Sequence, residues 1–330
     1  MRRACLLAAG CVSLAMPGLA PGDALPDADN TPLIASLGLP GSDRDAWLAG
    51  PGELRWRVSV GTASHSVQDE SDTEVLLFDG ESTRIGAALA VGVTERLELG
   101  IELPYLLHES GSLDSFIDDW HDWFGLPDGI RAQVPNDELR LQYRDNGIQR
   151  LDVRDNRRAP GDLRLTAGWQ LARDRTRATA LLLAVKLPTG DSDALTGSGG
   201  TDLSLGIAGD RRSLFGRARW QGFYRANATL IGTPDRLADR ARDVVVQLAG
   251  GLGFVVNDRL TLLAQARVRS APYDSAMRIL GEPSVLLTVG GTVSLGERLQ
   301  LAIAVGEDVR VESAPDVTLR LSLRYRPARH

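Results

Sequence analysis

The chain has 330 residues, of which 43% are hydrophobic and 24% charged, and its formal net charge is −6. This composition excludes a disordered chain, and the length allows one large β domain or two ordinary domains. The acidic balance, without a basic stripe or arm, gives no sign of a nucleic-acid partner. Lys186 is the only lysine, so arginine carries nearly all of the positive charge.

The N-terminus has the pattern of a signal peptide. Two arginines follow the first Met, residues 4–15 form an apolar stretch, and small residues come next. The apolar stretch is shorter than the ~20 residues that a membrane-spanning helix needs. Cleavage after Ala20 or after Ala24 fits the pattern, and the proline directly after Ala20 favours the second site. Cys5 and Cys11 both fall within this leader, so we expect no disulfide and no cysteine metal site in the mature chain.

Beyond the leader, hydrophobic and polar residues alternate strictly, which is the pattern of strands with one apolar face. In the last such segment Leu319, Leu321 and Leu323 share one face, and Arg320 and Arg324 share the other. A face with charged residues does not fit the core of a sandwich but suits water or a polar lumen. The pattern predicts twelve strands, at residues 52–63, 80–93, 95–107, 161–173, 175–188, 201–210, 213–230, 242–256, 258–271, 284–294, 297–307 and 316–326.

The connections between these strands alternate in length without a break. Tight polar turns such as Thr94-Glu95 and Asn257-Asp258 alternate with longer loops. Bacterial membrane barrels have short periplasmic turns, long outer loops and an even number of strands. A Greek-key sandwich has no reason to alternate in this way. A soluble barrel with its apolar face inward is the alternative, but twelve apolar faces would overfill its core.

We therefore predict an all-β protein: an up-and-down antiparallel transmembrane β-barrel of about 12 strands in the cell outer membrane. Residues 1–24 are the expected signal peptide, residues 25–51 an N-terminal periplasmic or lumenal segment, and residues 52–330 the barrel. Its expected partners are outer-membrane lipid, the barrel-assembly machinery and a small solute. Aromatic residues on or beside strands fit interfacial belts: Trp56, Tyr105, Trp169, Trp220, Tyr224, Phe254, Tyr273 and Tyr325.

The longest connection, at residues 108–160, is too long for an idle loop. Its residues 113–124 have apolar side chains at helical spacing and predict a short amphipathic helix, and a hairpin is predicted at 138–153. The helix either plugs the lumen or caps the barrel rim, and its acidic polar face disfavours a position on the outer leaflet. The candidate plug or loop residues are Phe116, Trp120, His121, Trp123 and Phe124.

If the apolar faces meet lipid, the opposite faces line the lumen with many arginines and few acids. Buried charge must be paired or hydrated, so either water fills the lumen or an acidic segment enters it. The candidates for entry are Leu25–Gly50 and the acidic helix. An arginine-lined pore favours anions, and the alternative is an arginine ladder that only rigidifies a closed barrel. The predicted lumen-lining residues are Arg55, Arg57, Glu98, Glu102, Arg164, Arg217, Arg219, Arg225, Arg267, Arg269, Arg320 and Arg324.

Metal and catalytic patterns are weak. Two acidic groups have the oxygen ligands that suit calcium, but charge on the wet side of a helix is the ordinary case, and we expect no metal and no cofactor. A hydrolase would need a histidine paired with a serine or an acid. His65 lies between Ser64 and Ser66 without an acid at a recognisable spacing, so we expect no enzyme. The two acidic groups are Asp118, Asp119, His121 and Asp122, and Asp191, Asp193 and Asp202.

Three segments carry a resemblance to a known family. Residues 116–131 (FIDDWHDWFGLPDGIR), 159–165 (APGDLRL) and 186–202 (KLPTGDSDALTGSGGTD) resemble an uncharacterised family of proteobacterial outer-membrane proteins, domain-of-unknown-function family 3187. The third segment also resembles the outer-membrane proteins found alongside aromatic-hydrocarbon degradation, which are regarded as uptake channels. The resemblance implies a barrel and a surface location but no substrate. Unlike many barrels, the chain does not end on an aromatic residue but continues past Tyr325.

The leading hypothesis is a narrow channel for small anionic or aromatic solutes. The alternative is a plugged structural or surface-binding barrel without transport. A hydrolase centred on His65 or His121 is less favoured.

Overall fold

The computed structural model describes residues 24–26, 30–41, 43–111, 139–309 and 317–327. Within these ranges the chain forms one short helix, α1 (Arg278–Gly281), and no helix is long and apolar enough to cross a membrane. The rest of the regular structure is strand. The strands are β1 (Leu54–Glu70), β2 (Glu74–Gly92), β3 (Leu97–Glu109), β4 (Arg140–Asp145), β5 (Ile148–Val153), β6 (Arg157–Pro160), β7 (Arg164–Arg173), β8 (Arg177–Lys186), β9 (Asp202–Arg211), β10 (Trp220–Leu230), β11 (Val244–Val255), β12 (Leu260–Arg269), β13 (Ser284–Ser294), β14 (Leu299–Asp308) and β15 (Val317–Tyr325).

Twelve of these strands close into an antiparallel barrel, which confirms the predicted fold. Each of β1–β3 and β7–β15 pairs with its neighbour in that order, and β15 returns to β1 with Trp56 opposite Tyr325 and Ser64 opposite Val317. Most turns at one end are short and most connections at the other are long, which makes the first end periplasmic and the second extracellular.

The outer face of the wall is hydrophobic and the inner face is polar. Along β3, Leu99, Ile101 and Leu103 are 44%, 40% and 51% exposed, whereas Glu98, which directly precedes Leu99, is 7% exposed. A continuous apolar exterior of this kind is abnormal in water and is what a lipid-facing barrel requires. The burial pattern therefore agrees with the predicted location in a membrane.

Aromatic pairs lie on the outer wall near the periplasmic end. The rings of Trp56 and Tyr325 stack with centroids 5.9 Å apart, and those of Trp220 and Phe254 meet at 5.2 Å. This is the position of an interfacial girdle. The assignment of Tyr273 to a belt is wrong, because that side chain is 1% exposed inside the extracellular end.

Two strand boundaries differ from the prediction. Residues 64–79 were expected to form a loop, but β1 and β2 continue to a tight turn at 71–73. Polar residues hide this extension in the sequence, whereas its apolar residues pack in a core above the barrel. Strand β10 begins at Trp220 rather than at 213, because Phe215 and Gly216 adopt positive φ angles of 54° and 69° that end an extended strand.

A cap closes the extracellular end of the barrel. The predicted hairpin at 138–153 is present as β4 and β5, and β4 pairs with the start of β2. The cap core consists of buried residues from these strands and from the long connections: Val67, Leu76, Phe78, Leu139, Leu141, Tyr143, Leu151, Val153, Leu195, Leu237, Tyr273, Met277, Ile279 and Leu280. The predicted helix at 113–124 lies outside the described residues.

Candidate functional site

The lumen contains the N-terminal segment of the chain. The described residues between 24 and 50, here called the plug, have no regular secondary structure, and nearly all are buried or half-buried. Near the beginning of the plug, the Leu25 amide donates to Gln265 Oε1 at 2.8 Å. Further along, the Asn30 side chain donates to the carbonyl of Gly61 at 2.8 Å. An acidic segment, rather than water alone, therefore fills the barrel.

Polar side chains of the wall accept hydrogen bonds from the returning half of the plug. The Gly38 amide donates to Asp202 at 2.6 Å, the Ala46 amide to Asp210 at 2.6 Å, and the Ala49 amide to Glu98 at 2.7 Å. An irregular backbone inside a protein needs such partners, since its own amides do not pair with one another. The polar inner face thus binds the chain's own backbone, which periodicity alone did not indicate.

The plug turns back beneath the cap. Leu33, Ile34 and Leu37 lie at this turn and pack into the cap core. A dry core excludes water and ions, so the extracellular mouth is closed along this route.

A polar cluster beside the cap core also holds the cap together. The Tyr143 hydroxyl donates to Glu74 at 2.7 Å, and Arg240 donates to Asp145 at 2.8 Å. Burial and the neighbouring Glu74 carboxylate raise the pKa of Tyr143 above its usual value. The hydroxyl therefore stays neutral and remains a donor.

The only lysine of the chain forms a buried ion-pair cluster at the extracellular rim. Lys186 Nζ lies 2.9 Å from Asp162 and 3.0 Å from Asp202, and it also donates to the Ser36 carbonyl of the plug at 3.1 Å. The three charged side chains are at most 3% exposed. Asp202 also accepts from the Gly232 amide, so the cluster joins three outer connections to the plug. It brings together residues from two of the segments that carry the family resemblance.

Two adjacent cavities with room for several waters lie between the plug and a part of the wall that includes β1, β2, β3 and β15. The upper cavity has a volume of about 60 Å³ and the lower one about 90 Å³. A volume of ~10–15 Å³ on this measure holds one water, so each cavity has room for several. The two share Asp43, Arg57, Ala88 and Glu102 as lining residues and so lie next to each other.

The cavity walls carry far more positive than negative charge. Arg164 is paired with Glu102 at 3.1 Å and also donates to the Leu39 carbonyl at 3.2 Å. Arg84 donates to the Ala35 carbonyl, which is neutral, at 3.2 Å. Among the residues that the structure describes, the barrel wall contributes two acids to the cavities, Glu98 and Glu102, against eight arginines: Arg55, Arg57, Arg84, Arg164, Arg267, Arg320, Arg324 and Arg326.

Most of the residues predicted to line the lumen are buried or half-buried on the inner face, but two are not. Arg217 and Arg219 are exposed in the turn before β10, so their assignment to the lumen is wrong. The alternating pattern was extended too far, across the residues that break the strand. The ten on the inner face are Arg55, Arg57, Glu98, Glu102, Arg164, Arg225, Arg267, Arg269, Arg320 and Arg324.

Two candidate groups lie outside the described residues. They are the loop residues Phe116, Trp120, His121, Trp123 and Phe124, and the acidic group around Asp118. In the part of the chain that the structure describes, no three potential ligands are grouped to hold a metal ion. Asp193 binds Arg236 at 2.7 Å instead, and Asp202 belongs to the lysine cluster.

The histidines do not form an accessible catalytic pair among the described residues. His65 is 1% exposed inside β1 and does not face outward. Sequence reasoning missed the contact between Ser82 and His108, whose oxygen and Nδ1 lie 2.8 Å apart. Both side chains are buried, and the other ring nitrogen of His108 lies 3.2 Å from the Leu195 carbonyl. This pair fixes the cap to the barrel and offers no opening to a substrate.

Comparison with known proteins agrees with this architecture. The model of a family described as proteins of unknown function (DUF3187) matches residues 5–327. The chain belongs to the DUF3187 family. No curated protein matches it in sequence.

Solved structures of outer-membrane channels are among those similar to this chain. A COG4313 outer membrane channel from Pseudomonas putida F1 aligns with this DUF3187 protein at a TM-score of 0.56 and 16% identity, over 88% of this chain and 98% of the other. A NanC porin aligns at 0.45 and 9% identity, over 82% and 98%. The P. putida toluene transporter TodX aligns at 0.37 and 11% identity, over 84% and 90%. The first likeness supports the barrel fold, and the other two are too distant to support more. The DUF3187 protein is thus an outer-membrane β-barrel with a channel-like fold.

Proposed function

We propose that this protein is an outer-membrane channel for small anionic solutes, held closed by its own N-terminal plug. The observation that carries the proposal is the excess of arginine around the two cavities, where eight wall arginines face two wall glutamates. In a confined space of low dielectric constant, such an excess attracts anions and repels cations.

The chemistry of the lumen favours anions over aromatic solutes. Trp47 is the aromatic residue that the plug places in the lumen, and it is already covered, with the guanidinium carbon of Arg212 4.0 Å from its ring centre. The upper cavity combines guanidinium groups with small residues such as Ala88 and Gly86. The lower cavity is lined in addition by Trp56, Leu89, Ile101 and Tyr325, but five arginines line it as well. Binding of an apolar ring needs an apolar pocket with few polar groups, whereas several arginines and acidic side chains line both cavities.

A plugged barrel without transport is the second candidate. The sealed cap core and the buried lysine cluster favour it, because both must open before a solute can cross. The two candidates differ in what the barrel does when the plug is removed.

Planar-bilayer recordings on the full-length protein and on a variant lacking residues 25–41 test the proposal. Heat-modifiability on a gel first establishes that both barrels are folded. We expect the shortened protein to conduct more than the full-length one and to prefer anions in a salt gradient. Arg84→Gln with Arg320→Gln in the shortened protein should reduce that preference. A folded, shortened barrel that is silent or that prefers cations would overturn the proposal.

A further inference from the structure

Two aspartates of the plug lie among the wall arginines. The Asp43 carboxylate is 3.0 Å from Arg57 Nη1, and its side chain is 6% exposed. Arg320 and Arg324 also lie close enough to act on it electrostatically. Asp43 lines both cavities, so it stands at the junction between them.

Asp45 also contacts wall arginines, closer to the periplasmic end. Its carboxylate pairs with Arg326 and lies 3.6 Å from Arg55. It lines the lower cavity together with Asp43. The plug thus presents two carboxylates, two residues apart, to wall arginines that outnumber the wall glutamates. Arg55 and Arg57 also lie 3.6 Å and 3.4 Å from the wall carboxylates of Glu98 and Glu102, so each arginine is shared between the wall and the plug.

The contacts around these aspartates are chiefly electrostatic. The apolar contacts of the plug lie on either side of these aspartates: at its turn beneath the cap, and at Trp47 and Leu48 near the periplasmic end. Between these two anchors, charge holds residues 43–45 in place, together with two hydrogen bonds: Arg225 donates to the Arg44 carbonyl, and the Ala46 amide donates to Asp210. A soluble anion can therefore compete with these two carboxylates for the wall arginines without disrupting an apolar core.

We propose that Asp43 and Asp45 occupy the channel's own anion site, and that a small dicarboxylate competes with them for Arg55 and Arg57 and so loosens the plug. The inference rests on the proposed function and names both its ligand class and its regulation. Tethered groups compete at effective concentrations in the millimolar range, so a soluble dicarboxylate should act at millimolar concentration.

Hydrogen exchange in the plug of the folded, full-length protein tests this inference, with succinate as the probe. Sodium chloride at equal ionic strength controls for screening. We expect succinate to speed exchange of the amides at 43–49 by about tenfold, which corresponds to a local opening free energy lowered by ~1.4 kcal/mol. Asp43→Asn with Asp45→Asn should speed exchange without succinate and remove most of its effect. Asp152→Asn, in an exposed pair on the cap, is the matched control and should behave like the wild type.

The result that would overturn the inference is plug exchange that responds equally to succinate and chloride. If the double asparagine variant does not fold on the heat-modifiability gel, Arg57→Gln replaces it, and an undiminished succinate effect there would also overturn the inference. Failure of the channel proposal can be told apart from failure of this inference. A barrel that does not conduct but whose plug still loosens with succinate would overturn the channel and keep the anion site. Anion conductance with a plug indifferent to succinate keeps the channel and removes the inference.

Discussion

Replacing Lys186 should destabilise the barrel more than any exposed charge does. The Lys186→Met variant removes the cation from a cluster in which Asp162 and Asp202 are 3% and 1% exposed, so two buried carboxylates lose their counter-charge. Breaking a buried pair by removing one partner costs about 3–5 kcal/mol. Backbone amides of Gly38 and Gly232 continue to bind Asp202, which places the expected loss near the lower end, at about 3 kcal/mol.

Urea unfolding of the refolded protein in detergent micelles, followed by tryptophan fluorescence, measures this loss. Arg154→Gln is the matched control, because its ion pair with Asp152 lies at the surface, and it should leave the unfolding midpoint unchanged. Adding Asp202→Asn to Lys186→Met should restore part of the stability, since it removes one uncompensated charge. A Lys186→Met variant as stable as the control, or a double variant less stable than the single one, would refute the role given to the cluster.

Two further predictions concern the lysine amine and the outer wall. The Lys186 side chain is 2% exposed in the folded barrel, so amine-reactive reagents should modify it only after boiling. Mass spectrometry of the peptides measures this labelling, and rapid labelling of the folded protein would contradict the burial of the amine. Leu103→Arg places a cation on the lipid-facing wall and should weaken folding into vesicles by about 2–4 kcal/mol, whereas Leu54→Arg at the periplasmic rim should cost ~0–1 kcal/mol. Equal folding yields for these two variants would argue against a hydrocarbon exterior.

The barrel was predictable because its signals are local. Alternation along each strand, as in Leu99 to Leu103, defines two faces without knowledge of any partner strand. The regular exchange of short and long connections then selects an up-and-down barrel over a sandwich. The same reasoning failed at Arg217 and Arg219, where a turn interrupts a pattern that still looks alternating.

The candidate site was predictable only in part. The arginine-rich inner face followed from alternation, and the small number of wall acids suggested that an acidic segment enters the lumen. The partners did not follow, because the Asp43–Arg57 and Asp45–Arg55 contacts depend on where the plug lies. The extension of β1 and β2 into the cap was missed as well, since its stability comes from core residues far away along the chain.

Sequence alone determined the number of barrel strands, the lipid-facing side and the charge of the interior, since alternation with a period of two residues marks each strand and separates its apolar face from its charged face. Tertiary structure decided what fills that interior. Lys186, Asp162 and Asp202 are separated by up to 40 residues and meet only because β7, β8 and β9 are neighbours in the closed wall. A buried charge takes whichever partner the fold brings within reach, and no local pattern in the chain specifies that partner in advance.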